Sequence, residues 1–146
     1  MNKTTVILDS SVIAKWFFAE NDCEQALRIK EQFTNGLLSV AIPTFLYYEV
    51  NNLLRTAVKR LRINENDAKK AYNSFLILDF VSYSSEFLLE KTLEIAIKFD
   101  ISSYDASYIA LSEYLQAPFL TSDKKLVNTV ENKFVIDLKD YKSSNL

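Results

Sequence analysis

Short apolar runs alternate along the chain with longer stretches in which apolar residues return every three or four positions. The first run, Val6-Ile7-Leu8 within Thr4 to Asp9, is rich in β-branched residues and ends in an acid. Ser10 and Ser11 follow as candidate N-caps for a helix carrying Val12, Ile13, Trp16 and Phe17. Asp22 stands where it can cap a second helix with Ala26, Leu27, Ile29 and Phe33. Asn35-Gly36 closes that helix with residues that tolerate a left-handed helix end. Leu38 to Ile42 reads as a strand, and Pro43-Thr44 leads into a helix with Leu46, Val50, Leu53, Leu54 and Ala57 on one stripe. Asn64 starts the next helix, through Ala68, Tyr72, Phe75 and Leu76. Phe80 to Tyr83 is a short strand, and Ser85 begins a helix through Leu88, Leu89, Thr92, Leu93 and Ala96. A helix over Ile101 to Leu115, a strand over Pro118 to Thr121, a short helix over Asp123 to Val130 and a strand over Phe134 to Ile136 complete the series.

Continuous apolar strands alternating with helices of this length predict a parallel sheet covered on both faces. The expected fold class is therefore α/β, with about five short strands in one central sheet and about seven helices around it. A chain of 146 residues, 49% hydrophobic and 13% aromatic, suits one domain with one core. No repeat or linker interrupts it, so residues 1–139 are expected to form the folded unit and Asp140 to Leu146 a polar tail. No apolar run approaches the ~20 residues that cross a bilayer, and Met1-Asn2-Lys3 leads straight into a strand-like segment rather than a signal sequence. A cytoplasmic protein without membrane contact is expected.

Composition then narrows the chemistry. The chain has no histidine, which removes the usual general base, His-dependent nucleophile systems and imidazole-bound zinc. Its single glycine, Gly36, leaves no glycine-rich turn for cradling a nucleotide phosphate. The lone Cys23 reads as a small apolar residue. A net charge of −2 argues against an overall basic coat, although seventeen Lys and Arg can still form a local patch.

What remains is carboxylate chemistry. Asp9 ends a strand expected to be buried, Glu49 lies between Leu46 and Leu53 on a helix stripe, Asp105 opens a helix, and Asp123 follows Phe119-Leu120-Thr121. Asp9 and Asp123 fall at the carboxyl ends of strands, where open α/β sheets gather their ligands. Structural readings stand beside the chemical one: Asp123 as an N-cap, and Asp105 as the third residue of a capping box begun by Ser102. Glu49 resists such a reading, because a lone acid leaning onto a buried face is costly. Several acids in one cleft repel one another unless a cation offsets them. Oxygen-only donors suit Mg²⁺ or Mn²⁺, and Mg²⁺ is commonly completed by substrate phosphates, which points to phosphate-bond chemistry.

Val6-Ile7-Leu8-Asp9-Ser10-Ser11-Val12, Tyr48-Glu49-Val50-Asn51-Asn52-Leu53-Leu54, Tyr104-Asp105-Ala106-Ser107-Tyr108-Ile109-Ala110-Leu111 and Ala117-Pro118-Phe119-Leu120-Thr121-Ser122-Asp123-Lys124-Lys125-Leu126 agree in order and spacing with four acid motifs. Essentially the whole chain thereby resembles the PIN-domain family, above all its VapC-type toxins of toxin-antitoxin pairs. The resemblance implies a Mg²⁺- or Mn²⁺-dependent ribonuclease in which Asp9, Glu49, Asp105 and Asp123 hold the metal directly or through water. It implies that the Thr121 hydroxyl supports the site and makes Ser10 and Asn52 candidates for hydrogen-bonding the ligands from behind. It also implies a homodimer and a cognate antitoxin that lays a basic or apolar tail across the acidic cleft. Ser122 departs from the pattern, in a place where the family often has a small apolar residue.

Lys15, Lys124 and Lys125 flank the turns of this site, and Arg55, Lys59, Arg60 and Arg62 cluster toward the end of the Glu49 helix. Lys15, Arg55, Lys59 and Lys124 are the candidates for steering RNA phosphates, with solvated helix ends as the plain alternative. Trp16 offers a base-stacking surface, but its helical spacing from Val12 and Ile13 favours the core. Phe45-Leu46-Tyr47-Tyr48 is more apolar surface than one stripe buries, so part of it is expected to face a dimer mate or an antitoxin. Two rival enzyme readings lack their acids. A phosphatase with Asp9 as nucleophile needs a second acid where Ser11 stands, and a receiver-like phospho-acceptor needs an acidic pair near the first strand. The non-enzyme alternative is a catalytically silent PIN-like module that binds RNA or a partner.

Overall fold

Among the described residues five parallel strands build one sheet in the order β3-β2-β1-β4-β5. They are β1 (Thr4–Leu8), β2 (Leu38–Pro43), β3 (Val81–Tyr83), β4 (Phe119–Thr121) and β5 (Val135–Asp137). The computed structural model describes residues 3–18, 22–84 and 86–142. Seven α-helices surround the sheet among these residues: α1 (Ser10–Phe17), α2 (Glu24–Thr34), α3 (Leu46–Lys59), α4 (Glu65–Leu76), α5 (Leu89–Phe99), α6 (Ser103–Leu115) and α7 (Lys124–Thr129). The expected parallel α/β sheet is thus observed, with strand count and helix count as read from the hydrophobic pattern.

Topology explains where the site falls. From β1 the chain steps outward through β2 to β3, then returns to lay β4 against the other side of β1, pairing Ile7 with Phe119 and Leu8 with Leu120. Helix α1 packs with α2 and α3, α3 with α4, and α5 with α6, the grouping on two faces that right-handed crossovers require. The order in which the chain adds strands across the sheet therefore reverses between β1 and β4, and the crevice beyond their carboxyl ends is the natural place for a ligand. Val6, Ile7 and Leu8 are fully buried, as are Val40, Ile42, Phe119 and Leu120, because helices cover both sheet faces. Helix α6 packs against β1, β2 and β4, and every residue from Ala106 to Ser112 is buried.

Local rules account for most helix boundaries. Asp9, Asn64, Ser102 and Asp123 cap α1, α4, α6 and α7 with side-chain acceptors. Gly36 closes α2 at φ +73°, the left-handed turn that Asn35-Gly36 foreshadowed. The same closing geometry at Leu61, Asp100 and Gln116 is made without glycine, at φ 58°, 51° and 52°.

Several expectations shift. Asp22 does not cap α2: it turns left-handed at φ 63°, and Cys23 occupies the cap position with no side-chain hydrogen bond. Ser85, expected to start a helix, lies outside the described residues, and a 3₁₀ turn over Glu86–Leu88 precedes α5. On α5 the buried stripe is Leu88, Thr92, Ile95 and Ala96, whereas Leu89 and Leu93 are each 57% exposed. The inward phase is made possible by Thr92, whose hydroxyl donates to the Leu88 carbonyl at 2.8 Å and so enters the core satisfied. Trp16 belongs to the core: its indole N–H donates to the Ala26 carbonyl at 2.9 Å and its ring stacks on Phe33 and Phe80. Phe45, Leu46 and Tyr47 are also accommodated by packing, leaving Tyr48 as the exposed member of that group.

Candidate functional site

Asp9 ends β1 and begins α1, so one residue both leaves the sheet and caps a helix. Its Oδ1 accepts from the Ser11 backbone N–H at 3.1 Å, the Ser11 hydroxyl at 2.5 Å and the Val12 N–H at 3.4 Å. Its Oδ2 accepts from the Thr121 hydroxyl at 2.6 Å. The Thr121 oxygen also accepts from the Asp123 N–H at 3.1 Å, and the Ser11 oxygen from the Ser122 N–H at 2.9 Å. Two hydroxyls thereby lace the carboxyl ends of β1 and β4 together across the switch point. Asp9 is 6% exposed, and burial drives its carboxyl up from 3.8 to about 6. The donors from Ser11, Thr121 and Val12 oppose that rise, and the nearby Glu49 charge adds to it.

Glu49 stands in the first turn of α3, half-buried, and accepts a hydrogen bond from the Tyr108 hydroxyl of α6. Burial raises its carboxyl; the Tyr108 bond pulls the other way and the Asp105 charge raises it further. Tyr108 is itself fully buried, its ring stacked on Phe119 at 5.3 Å and met edge-on by Phe45 at 5.4 Å. Burial and the charges of Glu49, Asp9 and Asp105 push the phenol far upward, so it is held as a donor. Asp105, in the first turn of α6, is raised by burial and by the Asp123 charge, with the Ser102 hydroxyl opposing. The Ser102 oxygen also accepts from the Asp105 N–H at 3.1 Å as the cap of α6. Asp123 is exposed and accepts from the Leu126 N–H at 3.1 Å, so the N-cap reading of this residue is a structural fact alongside any chemical role.

The four acids therefore form a chain of neighbours, Asp9 with Glu49, Glu49 with Asp105, Asp105 with Asp123, each pair repelling. Among the described residues no three acids converge as a ready-made metal cage. The donor set nonetheless fits a hard divalent cation. It is oxygen-only, three of its carboxyls are raised by burial and by neighbouring acids, and Mg²⁺ is commonly held by one or two carboxylates plus water.

The supporting residues divide. Thr121 lies against Asp9, as does Ser11, while the Ser10 hydroxyl takes no part in this lattice. The reason is helix phase: an N-cap carboxylate faces the second and third residues after the start, not the first. Asn52 is exposed on α3 and bonds none of the acids. Lys15 and Lys124 line one hollow of about 650 Å³ beside Ser122. Arg55 lines a different hollow between α3 and α4, and Lys59 is exposed farther along α3, in neither. Tyr108 escaped the sequence reading as a partner of Glu49. Its only signal was its place one turn after Asp105 on the same face.

A doubly covered parallel sheet with acids ranged along its switch point defines an acidic-cleft α/β domain. The PIN domain family model matches residues 6–132, and the chain belongs to the PIN-domain family. It is similar to Ribonuclease VapC3 of Pyrobaculum aerophilum, 30% identical over 125 residues that span 83% of this chain and 91% of that one. A crystal structure of a Pyrobaculum aerophilum protein shares its fold with a TM-score of 0.71 at 19% identity, covering 93% of this chain and 90% of the other. VapBC2 from Rickettsia felis, bound to a DNA fragment from its promoter, shares the fold with a TM-score of 0.66 at 12% identity, covering 92% and 98%. At those identities the two structures speak for the fold. Among the described residues no helix is long and apolar enough to cross a membrane.

Proposed function

We propose that the chain is a VapC-type endoribonuclease, the toxin of a toxin-antitoxin pair, hydrolysing RNA phosphodiesters with a divalent cation, Mg²⁺ or Mn²⁺. The observation that carries this reading is the row of mutually repelling carboxyls at the β1/β4 switch point, with Asp9 raised to about 6. The likeness to a protein named a ribonuclease supports the reaction class.

Asp9, Glu49, Asp105 and Asp123 would hold the cation directly or through water, and when bound it would supply a more acidic attacking water and charge neutralisation at the scissile phosphate. The chain's own residues prepare the cleft. Ser11 and Thr121 orient Asp9, and Tyr108 orients Glu49. Lys15 and Lys124 line the hollow beside Ser122, the residue before Asp123, and would steer the phosphate backbone toward the acids.

The working protein would be a cytoplasmic homodimer restrained by a cognate antitoxin, with residues 1–139 as the nuclease domain and 140–146 as a polar tail. Leu89, Leu93 and Ile97, spaced by four on α5 and all more than half exposed, support self-association together with the exposed Phe87–Tyr114 ring pair. The likeness to a relative named VapC3 supports the toxin half of such a pair. The test is cleavage of a mixed, structured RNA pool by purified protein in Mg²⁺ or Mn²⁺, beside EDTA and Asp105→Asn samples. Cutting that disappears in both controls is expected; no cutting at all, or cutting that survives Asp105→Asn, overturns the proposal.

A further inference from the structure

Two large aromatic side chains stand exposed on the N-terminal turns of α3 and α6, each directly before a site acid in sequence. Tyr48 precedes Glu49 and is 79% exposed; Tyr104 precedes Asp105 and is 63% exposed. They are not strays on a distant surface. Phe45, at the cap of α3, meets the Tyr104 ring edge-on at 5.5 Å and the Tyr108 ring at 5.4 Å, so the N-terminal turns of α3 and α6 join through it. Tyr48 sits one turn after Phe45, its N–H donating to the Phe45 carbonyl at 2.9 Å. Glu49 and Asp105, the acids next to these tyrosines, feel each other's charge. The inner rings are anchored to the site itself, since Tyr108 donates to Glu49.

The electrostatics of these two turns say what kind of contact they can offer a polyanion. Helix α6, Ser103–Leu115, carries no lysine or arginine. On α3 the first cation after Glu49 is Arg55, about 9 Å farther along the axis at 1.5 Å per residue. Carboxylates repel phosphates here, and no basic side chain on these two turns attracts them. A neutral attraction that acts on the bases can hold a nucleic-acid strand on these two turns beside the cation and the lysines of the proposed cleft, and an exposed ring with only two side-chain torsions to restrain provides it at small entropic cost.

We propose that Tyr48 and Tyr104 form a stacking platform for two nucleobases flanking the phosphate to be cut. This rests on the ribonuclease reading and deepens it. The platform recognises π faces rather than base edges, so its contribution is tolerant of sequence, and it acts in binding rather than in the bond-breaking step.

The test uses the full-length protein with a mixed-sequence single-stranded RNA pool and an abasic ribose-phosphate strand of equal length. Steady-state cleavage in Mg²⁺ or Mn²⁺ and equilibrium binding in EDTA are measured for wild type, Tyr48→Ala, Tyr104→Ala and the two Phe variants. Each Ala substitution is expected to raise KM and weaken RNA binding roughly 5- to 150-fold with kcat little changed. The Phe variants stay near wild type, and affinity for the abasic strand stays constant across the series. Ala variants that match wild type on RNA, or that lose equal affinity for the abasic strand, overturn the platform while leaving the nuclease reading intact. A wild type that neither cuts nor binds the RNA pool overturns both.

Discussion

Asp9 offers the most direct measure of what the acidic cleft costs the fold. Its carboxyl is 6% exposed and rises from 3.8 to about 6, chiefly through burial. Such a group binds its proton more tightly folded than unfolded, so stability is fully present below about pH 4 and is lost as pH climbs through about 6. Moving a carboxyl from 3.8 to about 6 amounts to ~3 kcal/mol at neutral pH, at about 1.36 kcal/mol per pKa unit. Asp9→Asn removes that penalty while keeping the shape of the side chain and an acceptor for the Ser11 donors. The difference in stability between variant and wild type should therefore shift by ~3 kcal/mol in favour of Asn as pH rises from about 3.5 to 8. For a chain of this size that corresponds to roughly 9 °C in Tm, at about 3 °C per kcal/mol. Urea and thermal unfolding of both proteins in EDTA across that range read it directly. Glu49 and Asp105 titrate in both proteins and largely cancel in the difference. Stability curves that run parallel through the window would refute the claim that Asp9 is held ionised at neutral pH against the preference of its surroundings. Repeating the neutral-pH measurement with Mg²⁺ or Mn²⁺ closes the argument: the cation should restore wild-type stability by ~2.7 kcal/mol at a hundred times its dissociation constant and help Asp9→Asn much less.

Thr121→Val removes the hydroxyl that donates to Asp9 at 2.6 Å and accepts from Asp123 N–H, and should cost ~1–3 kcal/mol in urea unfolding. Thr121→Ser, which keeps the hydroxyl, should recover most of the loss; a Ser variant as weak as Val would mean that packing rather than hydrogen bonding sets the effect. Tyr108→Phe leaves the buried side of Glu49 without its donor, and calorimetric titration with Mn²⁺ should find affinity reduced roughly 10- to 100-fold. Unchanged Mn²⁺ affinity in a folded Phe variant would mean that Glu49 does not need this bond to serve as a ligand.

Much of the fold was legible because its rules are local. A β-branched run such as Val6-Ile7-Leu8 declares a buried strand, and Asn35-Gly36 declares a helix end, since each pattern depends on residues within a turn of one another. Asp123 and Ser102 were legible as caps for the same reason. Trp16 went to the core as its spacing suggested. The acids stood out singly for being placed where charge is expensive. What failed were matters of phase and distance. Ser11 rather than Ser10 reaches Asp9, Asp22 turns away from α2, and α5 buries Ile95 while exposing Leu89 and Leu93; small shifts of this kind, below the precision of a periodic pattern, change which side chain points inward.

By itself, then, the sequence determined the order of elements and singled out four acids as candidate oxygen donors, because composition and short-range periodicity need no partner. Only the tertiary structure decided that Thr121 binds Asp9 across 112 residues and Tyr108 binds Glu49 across 59. It likewise decided that burial and neighbouring acids raise Asp9, Glu49 and Asp105. Desolvation and repulsion depend on what is packed against a charge, and that is set when β4 returns to β1 and α6 closes over the sheet, not by any stretch of chain read alone.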